Sequence, residues 1–365
     1  MTSPATTGFW RRMRPDRVKE LTLIGIIVGS VIVFGLLVDG YLSGRFFNRV
    51  TTSVVIVAIL AAAQALVIFS RNIDLSVGST VGVSAYLTAD FLISNTWANP
   101  VVAIVIAMLV GAALGSVNGL LVAYGKVPAI IVTLGTLALF RTLLSLYSGG
   151  ANVLAGGLPS WVLGFNNVTV FSIGEFDFRL VFLITIGVVV ILQWAMRRLR
   201  AGRRLYAIGS NPEAANQAGL PAPRLIMLSF VGAGSLAGLA GFMFMVRAGT
   251  MSATAGSGLE LESVAAAVVG GVSIFGGSGT IVGAFLGAIL IDTLELSLVR
   301  VPEVSEFWRD AALGVLILGA VILDATLQRR FTRRLTREVS GLDPTEPSTS
   351  QLSMSTVSEG GVPDA

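Results

Sequence analysis

Apolar stretches of about twenty residues recur along this chain, parted by short polar interruptions in which arginine is concentrated. Inside hydrocarbon a backbone has no water to bond, so each run must satisfy its own amides, and an α-helix does this within the run. Such runs stand at 21–38, 50–69, 75–94, 101–124, 129–147, 179–196, 225–246, 262–275, 280–299 and 307–324, with 262–275 short for a bilayer. The expected fold class is therefore an all-α polytopic membrane protein, a bundle of about ten transmembrane helices within residues 21–325. The first run has the look of a signal peptide. It is long enough to span, however, and no small-x-small cleavage pattern precedes Asp39, so it reads as an uncleaved first span. With 54% hydrophobic and 13% charged residues, the chain leaves no room for a folded soluble domain. Any energy-converting machinery belongs to another chain.

Charge orients the bundle. Residues 1–20 form a basic arm (Arg11, Arg12, Arg14, Arg17, Lys19), residues 197–204 hold Arg197, Arg198, Arg200, Arg203 and Arg204, and the 326–365 tail opens with Arg329, Arg330, Arg333, Arg334 and Arg337. Basic residues favour the cytoplasmic side, and an even span count puts all three segments there, with both termini cytoplasmic. Topology thus explains the net charge of +4, and no nucleic-acid partner is needed. Beyond Gly341 the tail is rich in Ser, Thr, Pro and Glu and reads as disordered. On the opposite, periplasmic side lies one long connection, 148–178, with Trp161, Phe165, Phe171, Phe176, Phe178, Glu175 and Asp177. These aromatics suit either a partner surface or an interfacial belt.

The segment 207–220, AIGSNPEAANQAGL, carries clear helix punctuation. Ser210 with Glu213 has capping-box spacing, Asn211 before Pro212 is an alternative cap, and Gly219 followed by Pro221 stops the helix. A helix of roughly two turns is unstable alone, so it must pack on this chain or on a partner.

Zero histidines and zero cysteines exclude zinc chemistry, thiolate chemistry and a Ser-His-Asp triad, and no catalytic or metal-ligating residue is assigned. The GLLVAYGKVP stretch (119–128) has five residues between its glycines and Val127 after Lys126, so it is no phosphate loop. Polar groups within the apolar runs are candidates for a solute path: Gln64, Arg71, Asn72, Asp74, Asn118, Arg141, Asp292 and Glu295. Asn72 and Asp74 lie in RNIDLSVGS (71–79), either a discontinuous helix facing a cavity or a plain hairpin; Ser76, Asn118 and Ser273 are counted with them. Asp292 and Glu295, one turn apart, with Asp74, would serve an ion-gradient-driven secondary transporter, the alternative function class. Gly234 and Gly238 make a small-xxx-small packing face, and Gly276, Gly277 and Gly279 read as packing or as a re-entrant turn.

IDLSVGS (73–79), VPAIIVTLGTLALFR (127–141), AIGSNPEAANQAGL (207–220) and GLELESVAAAVVGGVSIFGGSGTIVGAFLGA (258–288) stand in the order found in sugar-type ATP-binding-cassette (ABC) importer permeases, and from about residue 50 to 325 the chain resembles that ribose, xylose, rhamnose and autoinducer-2 family. Arg71 and Asn72, in place of a pair of glycines common in ribose permeases, are similar to the autoinducer-2 and rhamnose branches. The resemblance implies a multi-pass subunit of the bacterial inner membrane. Its 207–220 segment, with Glu213, Ala214, Ala215 and Gly219, would be the coupling helix that docks into an ATPase subunit. It further implies a periplasmic or lipid-anchored solute-binding protein and a second permease, either another copy or a paralogue. The chain itself would bind no cofactor, ATP and magnesium belonging to the partner ATPase.

Overall fold

A computed structural model describes residues 15–300 together with Trp308, Ala311, Gly314, Val315 and Leu318, all five helical. The rest of the expected 307–324 span, most of the 1–20 arm and the 326–365 tail lie outside the described residues. α1 (Pro15–Leu37), α2 (Gly44–Ile68), α3 (Val77–Ser94), α4 (Pro100–Ala123) and α5 (Ala129–Ser148) follow through short connections. A longer excursion contains α6 (Ser160–Phe165) and an antiparallel hairpin of β1 (Thr169–Ile173) and β2 (Phe176–Arg179). Then come α7 (Leu180–Arg198), α8 (Arg200–Ser210), α9 (Pro212–Gln217), α10 (Ala222–Ala248), α11 (Leu259–Val269) and α12 (Ile281–Leu298).

Among the described residues, eight helices are long and apolar enough to cross a membrane: α1 to α5, α7, α10 and α12. Their starts are punctuated as helices require. Asn99 accepts from the Val102 amide ahead of α4, with Pro100 at its first position, and Thr280 accepts from the Gly283 amide ahead of α12. Left-handed Gly149 and Gly249 end α5 and α10.

Two expectations need correction. The 262–275 run is no span, because α11 has only 11 residues, a length of about 16 Å against the roughly 30 Å of hydrocarbon. Between α10 and α11 the chain instead passes through a turn-rich segment, 250–258, with left-handed Gly256 and Gly258. The class is also not purely α, since residues in the 148–178 connection build the β-hairpin.

At the centre stands α2, buried on every side, its AILAAAQALVI run letting α7, α10, α11 and α12 approach closely. α1 lies outside, with Leu36 84% exposed and Ile24, Val28, Ile32 and Val33 also uncovered, an apolar surface matched to lipid rather than water. The anticipated glycine face is realised between α4 and α10. A Cβ on Gly238 would lie 2.7 Å from the Ala107 carbonyl carbon, and one on Gly111 would lie 2.7 Å from the Gly238 nitrogen. Backbone meets backbone there, so any side chain would force the helices apart.

Candidate functional site

The polar stretch 200–217 forms two helices meeting at an elbow, not the single helix expected over 207–220. α8 is amphipathic: Gly202, Leu205, Ile208 and Gly209 are buried, while Arg200, Arg203 and Arg204 are exposed. Ser210 ends α8 and is exposed, so it is not the cap of the next helix. Asn211 takes that role, its Oδ1 accepting from the Ala214 amide at 3.0 Å, with Pro212 at the first helical position. Glu213, Ala214, Asn216 and Gln217 face solvent; Ala215 alone of α9 is buried, anchoring the helix to its own chain. Gly219 follows at φ +70°, with open space where a Cβ would stand.

The elbow is bolted to the connection between α2 and α3. Arg71 holds a left-handed backbone, φ +64°, a conformation costly for a residue with a side chain. Its guanidinium donates to the carbonyls of Gly209 (Nε, 2.5 Å) and Ser210 (Nη2, 2.8 Å), the last residues of α8. Tyr206 packs tilted against Phe69, ring centroids 4.4 Å apart, and donates to the Gly279 carbonyl, and the Gly277 amide donates to the Phe69 carbonyl at 3.1 Å. A Cβ on Gly277 would strike the Ser210 backbone at 2.5 Å. Three segments, 69–76, 206–210 and 276–279, are thus locked at one end of the bundle. Arg71, Lys126 and the turn glycines are the positive-φ positions at this end, with Gly276, Gly277 and Gly279 forming the α11–α12 connection.

From Arg71 the strap turns inward. Asn72 is half-buried and donates to the Ser70 carbonyl. Asp74, 2% exposed, accepts from the Ser76 amide (2.8 Å) and hydroxyl (2.6 Å), and its own carbonyl takes Gln64 Nε2 of α2. Asn118 of α4 donates to Ser76 Oγ at 2.7 Å, and Thr133 of α5 reaches the Ile73 carbonyl at 3.4 Å. Asp74, Ser76 and Asn118 therefore come together with Gln64, as a buried polar knot tying α2, α4 and α5, while Asn72 bonds back to Ser70. Ser273 is buried within the α11–α12 connection, where its hydroxyl accepts from the Phe275 amide. Asp292 does not join them: it takes the Ser53 hydroxyl, eleven residues and about 16 Å farther along α2 from Gln64.

Sequence reading passed over two polar groups. Gln193 of α7 accepts from the Ile281 and Val282 amides, capping α12 from a neighbouring helix. Glu260 sits in the first turn of α11, its Oε1 taking the Gly258 amide and its Oε2 lacking a partner. The Gly, Ser and Thr content of 249–258 is the signal that could have revealed the broken span.

A helical bundle that crosses the membrane, ties a polar knot inside, and projects a short exposed helix at one end has the build of a permease, the membrane subunit of a transporter. The chain belongs to the family described as branched-chain amino acid transport system / permease component, whose profile matches residues 46–323. It is similar to the autoinducer 2 import system permease protein LsrC of Enterobacter sp. (strain 638), 38% identical over 82% of this chain and 86% of the relative. It is also similar to the proteins of that name from Salmonella typhi and Escherichia coli O9:H4 (strain HS), each 34% identical over 88% of this chain, covering 89% and 91% of the relatives. No solved structure matches it. These relationships bear out the resemblance to sugar-type ABC importer permeases.

Proposed function

We propose that this chain moves a small sugar-like solute of the autoinducer-2 class into the cytoplasm, as one of two permease subunits in an inner-membrane importer powered by ATP hydrolysis on separate ATPase chains. A periplasmic solute-binding protein delivers the cargo. The observation that carries the reading is the exposed α9 outcrop together with its bolt, Arg71. An ATPase that grips Glu213, Ala214 and the open backbone at Gly219 pulls on α8. Arg71 and the Gly277–Phe69 bond pass the pull to the 69–76 strap and to the α11–α12 connection. Asn72, Asp74, Ser76, Asn118 and Ser273 then act as the inner gate, the knot among them holding α2, α4 and α5 together until the elbow moves.

Three substitutions in α9 and at its ends test this. Asn211→Ala removes a cap worth about 1 kcal/mol, small beside the stability of the bundle. Gly219→Leu adds bulk at a left-handed position, costing about 1 kcal/mol in conformation and lifting the partner from the helix. Glu213→Ala leaves α9 capped by Asn211 and removes an exposed carboxylate. All three variants should insert normally, whereas transport-coupled ATP hydrolysis in Glu213→Ala and Gly219→Leu complexes should fall at least tenfold. Wild-type coupling in both would reduce α9 to an ordinary loop.

Orientation is tested separately with single cysteines, since the chain has none of its own. Ile173→Cys on the hairpin is expected to react with an impermeant thiol reagent in intact spheroplasts, and Gln217→Cys only after lysis. The reverse pattern would invert the proposed topology.

A further inference from the structure

We propose that the corner between α7 and α8 is a binding site for an anionic phospholipid, whose phosphate headgroup is taken by Arg197, Arg198, Arg200 and Arg203 with Trp194 beside it. One face of α7 belongs to the bundle: Val181, Thr185, Val189, Gln193 and Met196 are buried at helical spacing. The opposite face is uncovered, and along it the chemistry changes in order. Val190 and Ile191 are exposed aliphatics suited to acyl chains. Trp194 follows one turn on, 56% exposed, and Arg197 and Arg198 follow one turn further. Tryptophan at the end of a span marks the boundary between hydrocarbon and headgroups. About 10 Å of helix separates Ile191 from Arg198, enough to pass from the acyl chains into the headgroup layer.

The backbone gathers the arginines there. Leu199, extended at φ −77° and ψ 148°, ends α7 and turns the chain into α8. The amphipathic α8 then puts Arg200, Arg203 and Arg204 on one exposed face. Arg203 Nη1 donates to the Arg198 carbonyl at 2.7 Å, which ties that face to the end of α7 and commits one nitrogen of one guanidinium. From Leu180 to Pro212 the sequence holds five arginines and neither aspartate nor glutamate. Cations so close repel one another, and a phosphate whose paired oxygens match the guanidinium fork relieves them.

The order along α7 selects a lipid over a dissolved anion. Arg197 and Arg198 continue a face whose preceding turns are apolar, so the ligand that fills the whole face is itself amphipathic, apolar below and anionic above. The same order separates this corner from the ATPase contact, which the importer reading puts on Glu213 and Ala214 of α9. α8 runs about 16 Å from the corner to the Arg71 bolt, so a bound lipid holds the end of α8 that Arg71 does not. The site stands on the membrane-spanning fold and goes beyond the importer reading.

The experiment follows the melting midpoint of the full-length permease in detergent as phosphatidylglycerol, or phosphatidylcholine with the same acyl chains, is added. Phosphatidylglycerol is expected to stabilise the wild type at concentrations at least tenfold below those at which phosphatidylcholine acts. Arg197→Gln/Arg198→Gln should lose that preference and Arg198→Gln alone should lose part of it. Arg45→Gln/Arg49→Gln, which removes two exposed arginines of α2, should keep it. A preference lost equally in both double variants reports bulk charge, and one kept in both puts the lipid elsewhere; either overturns the proposal. Glycerol phosphate is expected to leave the midpoint unmoved at the concentration where phosphatidylglycerol saturates, and an equal rise would make this a site for soluble anions instead. The ATPase should co-purify with Arg197→Gln/Arg198→Gln as with the wild type. Loss of co-purification with the lipid preference intact assigns the arginines to the ATPase and removes the lipid site.

Discussion

A valine at position 238 is expected to remove most of the protein from the membrane. The Cβ would stand 2.7 Å from the Ala107 carbonyl carbon and 3.0 Å from Met108 Cα, and those atoms are backbone that cannot rotate aside. Overpacking a close-packed interior costs about 1–3 kcal/mol, and more when two helices must part along their length. The contact recurs at Gly111, Gly115 and Gly234, so a displaced α10 loses the whole seam with α4. The natural control is Gly135→Val on α5, where nothing lies within 4 Å of the added carbon and valine is, if anything, a better helix former than glycine. Membrane accumulation and thermal stability in detergent are the measurements. Equal amounts of the two variants would mean that the α4–α10 seam is looser than described.

The second large effect falls on Arg71. Glycine is the informative replacement because φ +64° suits it, so the backbone relaxes while the guanidinium disappears. Each charge-assisted bond to a carbonyl contributes about 1.5–3 kcal/mol, and Arg71 makes two of them to the end of α8. A link weakened by even 1.4 kcal/mol changes an equilibrium tenfold. Arg71→Gly is therefore expected to insert and assemble with its ATPase as the wild type does, yet to lose at least tenfold in uptake per ATP hydrolysed. A variant with unaltered stoichiometry would show that the elbow moves without the strap. Arg71→Lys should fall between the two, because a single ammonium cannot reproduce the forked grip on two carbonyls.

Much of the architecture was legible because the bilayer imposes one period and one length on every span. Eight of the expected runs became long helices within a few residues of their sequence bounds. The failure at 262–275 has a physical cause. Apolarity reports burial, not helicity, and Val268, Val272 and Ala265 to Ala267 are buried in a broken span as thoroughly as they would be in a continuous one. The hairpin escaped for a different reason: β1 is exposed at every residue, so no inward and outward alternation marks it. At the elbow the sequence offered two caps for one helix. Asn211 prevailed because Ser210 is held in α8, where its carbonyl is taken by Arg71. Asp74, singled out for its place between apolar runs, is buried, whereas Asn72 beside it is half-buried. What spacing could not supply was their partners, since Gln64, Ser76 and Asn118 reach Asp74 or its neighbour from three different segments.

The hairpin grips the far end of α2 as firmly as the elbow grips the near one. Asn48 exchanges hydrogen bonds with Asp177, Gly44 donates to Glu175, Arg179 donates to Thr52, and Phe47 packs edge-on against Phe176 and Phe178. Between those anchors runs one helix of 25 residues, about 37 Å of rod with no proline to absorb a bend. If a displacement at one anchor shifts α2 as a rod, thermodynamic reciprocity fixes the exchange rate between the two ends. Any protein that settles on the hairpin and shifts α2 alters affinity at α9 by the same factor by which occupancy of α9 alters affinity for the hairpin.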